Sequence, residues 1–95
     1  MKTKNGAVIG FDLGGTQMRC ALVEGCAVKS RIFRCSTQRD RPPADIIGDM
    51  ISLIRTAEKE TGQEKVSIGV GVPTSITDGC LDPCENLPTM PNYPL

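Results

Sequence analysis

The sequence predicts an α/β fold: three short strands in an antiparallel meander, one crossover helix and a further strand. Three observations carry this. Apolar residues alternate with polar ones around a Gly14-Gly15 pair, the period of strands with one buried face. From Ala44 to Thr61 the apolar period lengthens to three and four, which is that of an amphipathic helix. A β-branched run punctuated by glycines, "KVSIGVGVP", then reads as a strand.

The first strand is "GAVIGFDL", aliphatic and bounded by glycine. In "TQMRCALV" Gln17, Arg19 and Ala21 lie on one side and Met18, Cys20 and Leu22 on the other. Glu24-Gly25 signals a turn, and "AVKSRIFRC" supplies the third strand, Val28, Ser30, Ile32 and Arg34 alternating with Lys29, Arg31, Phe33 and Cys35. "STQRDRPP" is a polar connection whose prolines suit a helix entrance. In the helix Ile46, Ile47, Met50, Ile51, Ile54 and Ala57 form the apolar stripe, and Asp45, Asp49, Arg55 and Lys59 the polar face. Asp45 complements the helix dipole and Gly62 is a natural stop. Gly69 and Gly71 admit close approach of backbone or ligand. From Thr74 onward the chain reads as loop-like, with a turn at Thr77-Asp78-Gly79, a short extended piece and then four prolines.

Ninety-five residues make one small domain or part of a larger one. With 11 basic and 11 acidic residues, no charged field points to nucleic acid or an anionic membrane. No apolar run approaches the roughly 20 residues of a membrane span. "MKTKNG" leads into a short run broken by Asp12 and does not read as a signal peptide. Five cysteines, no C-x-x-C pair and no histidine exclude the ordinary Cys/His zinc spacings. Cys80 and Cys84 would share one side of a strand. A disulfide or half a metal site there stays open beside the favoured reading, reduced cysteines used as small apolar residues in a cytoplasmic protein. Two Phe, one Tyr and no Trp leave the core to aliphatic residues. The proline-rich ending "NLPTMPNYPL" suggests the front portion of a longer protein, so residues 1–95 are expected to be a partial domain.

The segment Asp12-Leu13-Gly14-Gly15-Thr16 admits two readings. Two glycines between strands are what a type I′ or II′ hairpin requires, because positive φ costs glycine little. Against this, a carboxylate ending an apolar strand needs a cation or donors if buried, which Mg²⁺ beside phosphate would satisfy. Thr16 adds a hydroxyl, and the free N–H groups of the turn can form an anion site. No Gly-Lys-Ser/Thr follows, and G-x-G-x-x-G is absent, so neither the P-loop nor the dinucleotide fingerprint applies.

"IGFDLGGTQMRCALV" resembles the first phosphate loop of the actin-like sugar kinase superfamily, and more narrowly of its ROK group. "IGVGVPTSITDGCLDPCENLP" resembles the ROK stretch running from the fourth strand to an Asn-Leu-Pro. The two segments with the meander and helix between them span nearly the whole chain. The resemblance implies the N-terminal part of an actin-like (ribonuclease H-like) ATPase domain, in an enzyme transferring phosphate from ATP to a hexose or N-acetylhexosamine. It implies that Gly10, Phe11, Asp12, Leu13, Gly14, Gly15, Thr16 and Gln17 line the ATP phosphates, with Asp12 organising Mg²⁺. It places Thr74, Ser75, Glu85 and Asn86 at the edge of a sugar pocket. Departures are Gln17, where relatives often carry lysine, and Pro73-Thr74-Ser75, where many read Pro-Gly. The Thr74 and Ser75 hydroxyls either bind sugar or cap a turn, and for Glu85 a solvated loop carboxylate is favoured over a sugar contact. The general base of the family, an aspartate in an Asn-Asp pair, should fall beyond Leu95, as should the zinc motif. No catalytic residue is therefore expected in residues 1–95, which alone should be inactive. The whole protein is expected to form a homo-oligomer, as a dimer. The start and the "IIGDMI" helix are faintly similar to allose kinases. Alternatives are a sugar-responsive ROK regulator, disfavoured by the few residues before the first strand, a catalytically inactive fragment, and a non-sugar member of the superfamily, disfavoured by the Asn-Leu-Pro.

Overall fold

Alternation decides which side of each strand is buried. The computed structural model describes residues 6–64 and 66–95. The reading of Met1–Asn5 as no signal peptide, and Lys65 as the start of a strand, lie outside the described residues. β1 (Ala7–Leu13) turns Ala7, Ile9, Phe11 and Leu13 into the core and leaves Asp12 exposed on the other face. β2 (Gln17–Glu24) returns antiparallel, Leu13 facing Met18 and Ala7 facing Glu24. Met18, Cys20 and Leu22 join the core, as the alternation predicts, and Ala21 is buried as well.

The third strand is interrupted, not continuous. β3 (Ala27–Val28) and β4 (Phe33–Ser36) both pair antiparallel with β2. Val28 faces Val23 and Phe33 faces Cys20, so residues 29–32 stand opposite only Ala21 and Leu22. The cause is Ser30. Its hydroxyl accepts the Leu22 N–H at 2.9 Å, where a ladder carbonyl would otherwise do so, and donates to the Arg31 carbonyl at 2.8 Å. A side-chain hydroxyl thus competes with regular pairing. The surplus is an even number of residues, so the alternation survives and Phe33 still enters the core.

α1 (Pro43–Thr61) begins after Pro42 and carries Pro43 in its first turn. Ile46, Met50 and Ala57 are buried, Ile47, Leu53 and Ile54 partly so, while Ile51 stays 45% exposed at the margin of the stripe. Gly62 ends the helix at φ 70°. Its N–H donates to the Lys59 carbonyl and that of Gln63 to Glu58, the Schellman arrangement.

α1 covers one face of the sheet over β1, β2 and β4. β5 (Ser67–Gly71), shorter than predicted, lies parallel to β1 at the end of the order β3-β2-β1-β5. All five of its residues are exposed, because α1 makes no contact with it among the described residues.

The segment after Thr74 is more ordered than its prolines suggest. β6 (Ile76–Thr77) and β7 (Cys80–Leu81) form a small hairpin. Asp78 and Gly79 turn it at φ 52° and 78°, as a type I′ turn demands. Leu81, Leu87 and Met90 then anchor this segment in the core. The five thiols are free: Cys20 is buried, Cys26 exposed and Cys35, Cys80 and Cys84 intermediate. No helix of the described residues is long and apolar enough to cross a membrane.

Candidate functional site

The glycine loop joins β1 to β2, and its geometry differs from a primed hairpin turn. Neither Gly14 nor Gly15 has a positive φ, so left-handed backbone does not explain them. Close approach does. A Cβ on Gly14 would stand 2.7 Å from the Gln17 carbonyl oxygen. A Cβ on Gly15 would stand 2.9 Å from Asn86 Cβ and 3.0 Å from the Asn86 carbonyl oxygen. The loop closes with the Gly14 N–H donating to the Gln17 carbonyl at 3.1 Å. The N–H groups of Gly15 and Thr16 donate to no acceptor among the described residues.

Asp12 corrects one premise of the sequence reading. It is not a buried carboxylate in need of a cation: its side chain is 55% exposed, and Arg19 Nη2 donates to its Oδ2 at 2.8 Å. The two face each other across β1 and β2 on the side of the sheet away from α1. Around them lies a cavity of about 350 Å³ whose lining includes Gly10, Ala21, Val28 and Gly69. Its floor is low because Ala21, Gly10 and Gly69 stand in one row across three strands, where a larger side chain would fill the space.

The eight residues 10–17 are thus not equivalent. Phe11 and Leu13 bury their side chains in the core and offer a ligand only backbone. Gly10 sits within the sheet, and Asp12, Gly14, Gly15 and Thr16 surround the loop. Asn86 is brought against Gly15, fixed there because its neighbour Leu87 is buried. Glu85 beside it is exposed. Thr74 and Ser75 lie between β5 and β6. Their hydroxyls make no protein hydrogen bond among the described residues, so neither acts as a turn cap through its side chain, and the Ser75 carbonyl accepts the Asp82 N–H at 2.9 Å.

No protein-family model matches the sequence, and comparison with curated proteins finds no match. Solved structures do match. A ROK hexokinase from Thermus thermophilus superimposes with a TM-score of 0.80 at 26% identity, over 93% of this chain and 29% of that one. A ROK family glucokinase from Streptomyces griseus, solved with glucose and AMPPNP, gives 0.79 at 22% identity over 95% and 28%. The chain has the fold of the amino-terminal part of a ROK sugar kinase. It spans less than a third of the length of these relatives.

Within this ROK fold, sequence reasoning missed Thr37. It lies in the polar "STQRD" connection, where no periodicity marks a buried position, yet it is fully buried and hydrogen-bonded to the glycine loop. Only the turn of the chain after β4 shows this. Cys20, also core-facing, has its thiol pushed up to about 11, by burial and then by nearby Cys35. That makes it a packing residue and not a nucleophile.

Proposed function

We propose that this chain is the phosphate-loop portion of an enzyme that transfers the γ-phosphate of ATP to a hexose or N-acetylhexosamine. The contact of Gly15 with Asn86 carries the reading. Two motifs far apart in sequence, one suited to phosphate and one to sugar, meet with no side chain between them. A nucleotide at the loop and a sugar at the 84–87 segment would therefore be neighbours, as in-line transfer requires.

The chain's own groups support definite roles. The N–H groups of Gly15 and Thr16, which have no acceptor among the described residues, would hold phosphate oxygens. Asp12, exposed and held at one oxygen by Arg19, fits a cation that keeps most of its waters and takes one protein carboxylate plus phosphates. Mg²⁺ bound there would neutralise charge developing on the transferred group. Arg19 holds the Asp12 carboxylate in place. The half-buried Thr74, with Ser75, Glu85 and Asn86, would bound the sugar. The base that takes the proton from the sugar hydroxyl is assigned to residues beyond Leu95, so residues 1–95 alone are inactive. The whole enzyme would be cytoplasmic and dimeric.

The test is an ADP-release assay on protein made from the complete coding sequence, with Mg-ATP and a panel of hexoses and N-acetylhexosamines. ADP release should depend on one of these sugars, and Asp12→Asn should lower kcat on the order of 100-fold. ADP release indifferent to every sugar, or undiminished by Asp12→Asn, would contradict the proposal.

A further inference from the structure

Among the described residues Thr37 is the one buried polar side chain, with no exposed surface. Its hydroxyl donates to the Gly14 carbonyl at 2.8 Å and its N–H to the Thr16 carbonyl at 3.0 Å. Both bonds end on the glycine loop, one on each side of Gly15. The Thr37 carbonyl in turn accepts from Arg41 Nη2 at 2.7 Å. That nitrogen also reaches Asp49 Oδ2 on α1 at 2.9 Å. The Arg41 carbonyl accepts the Thr89 hydroxyl at 2.6 Å. Thr37 thus ties the loop to the helix and to the segment that carries Asn86.

The consequence follows from peptide geometry. A trans peptide points its C=O and N–H in opposite directions. With the Gly14 carbonyl held by Thr37, the Gly15 N–H of the same peptide must aim away from Thr37, and it is one of the two loop donors without an acceptor among the described residues. We propose that Thr37 is a positioning residue, fixing the Gly14-Gly15 peptide so that the Gly15 N–H is presented to a nucleotide phosphate. Without the hydroxyl the peptide is free to rotate, and a carbonyl oxygen could face the phosphate instead. This rests on the phosphate-binding reading of the loop. Thr37 touches no substrate and acts through Gly14 and Thr16.

The experiment is calorimetric titration of Mg²⁺ with β,γ-imido-ATP into the complete protein. Thr37→Val keeps the shape and removes the donor, and its affinity should fall roughly tenfold, the effect of losing one buried hydrogen bond. Thr37→Ser keeps the donor and should bind within about twofold of the parent. Met50→Ala, a core change on α1, should lower the melting temperature and leave affinity unchanged, which separates positioning from general loosening. Should Thr37→Val not fold, Arg41→Met cuts the tether while leaving the hydroxyl, and a severalfold loss is expected. Parent-like affinity in a folded Thr37→Val or Arg41→Met protein would overturn the proposal, as would equal losses in Thr37→Ser and Thr37→Val. If the parent itself binds no imido-ATP, the phosphate-loop reading fails first and this inference falls with it.

Discussion

A methyl group at Gly15 has nowhere to go. Its neighbours are the Cβ, carbonyl oxygen and Cα of Asn86, the last at 3.1 Å, and none is the free end of a flexible side chain. Gly15→Ala should therefore cost about 1–3 kcal/mol in urea denaturation and weaken nucleotide binding by prising the two motifs apart. Gly10→Ala is the contrast: its Cβ would meet Val23 Cγ2 at an ordinary 3.4 Å, so stability should change by less than about 1 kcal/mol. The motif around Gly15 was legible in the sequence, but its reason was not. Positive φ is a local property and the usual reason for paired glycines between strands, whereas contact with Asn86 depends on how the distant 84–90 segment folds back. The exposure of Asp12 was hidden likewise, because its partner Arg19 is identified only by the strand register. Cys20 gives a prediction in pH. Its thiol ionises only at about 11 in the folded chain, so above the ordinary thiol range the unfolded chain loses a proton that the folded one keeps. Stability is then unaffected below about pH 9 and falls as pH rises toward 11. A melting temperature that drops over this window in the parent and less in Cys20→Ala would show it, and a drop of the same size in both would refute it.

Among the elements, α1 was the most legible, since its stripe recurs over about three turns and its end is marked by Gly62. Even so, periodicity alone did not rank its residues. Ile46 is fully buried and Ile51 is 45% exposed, although both fit the stripe. Ile46→Ala should cost about 2–4 kcal/mol and Ile51→Ala less than about 1 kcal/mol, measured by urea denaturation. Similar costs at both sites would mean that the helix is rotated from the position described. The third strand shows the opposite limit. Its alternation is legible in the sequence, but the interruption at residues 29–32 is not, because it arises from a hydrogen bond between the Ser30 hydroxyl and a partner strand. The β6–β7 hairpin lay within reach of the sequence through Asp78-Gly79. The prolines on either side of it, Pro73 and Pro83, masked the pairing, and with it the burial of Leu81, Leu87 and Met90.

At the scale of the whole molecule, the sheet is finished on one side and open on the other. β5 is an edge strand whose Ile68 and Val70 remain 44% and 39% exposed, and no helix among the described residues covers the face bearing Asp12. Exposed apolar edges pair with other chains. Residues 1–95 on their own should therefore self-associate at micromolar concentration, and Ile68→Lys should reduce this; a monomeric sedimentation profile with a cooperative melt would argue against it. The order β-β-β-α-β and the mixed sheet were legible from period changes alone. The openness of β5 was not, because a strand buried on both faces and one awaiting a cover have the same composition. The most direct test of the central claim is amide hydrogen exchange at Gly15 and Thr16 in the complete protein, with and without Mg²⁺ and β,γ-imido-ATP. Nucleotide should slow exchange at these two amides while those of the β6–β7 turn are unchanged. Nucleotide binding that leaves both amides exchanging as before would show that the loop does not hold the phosphates.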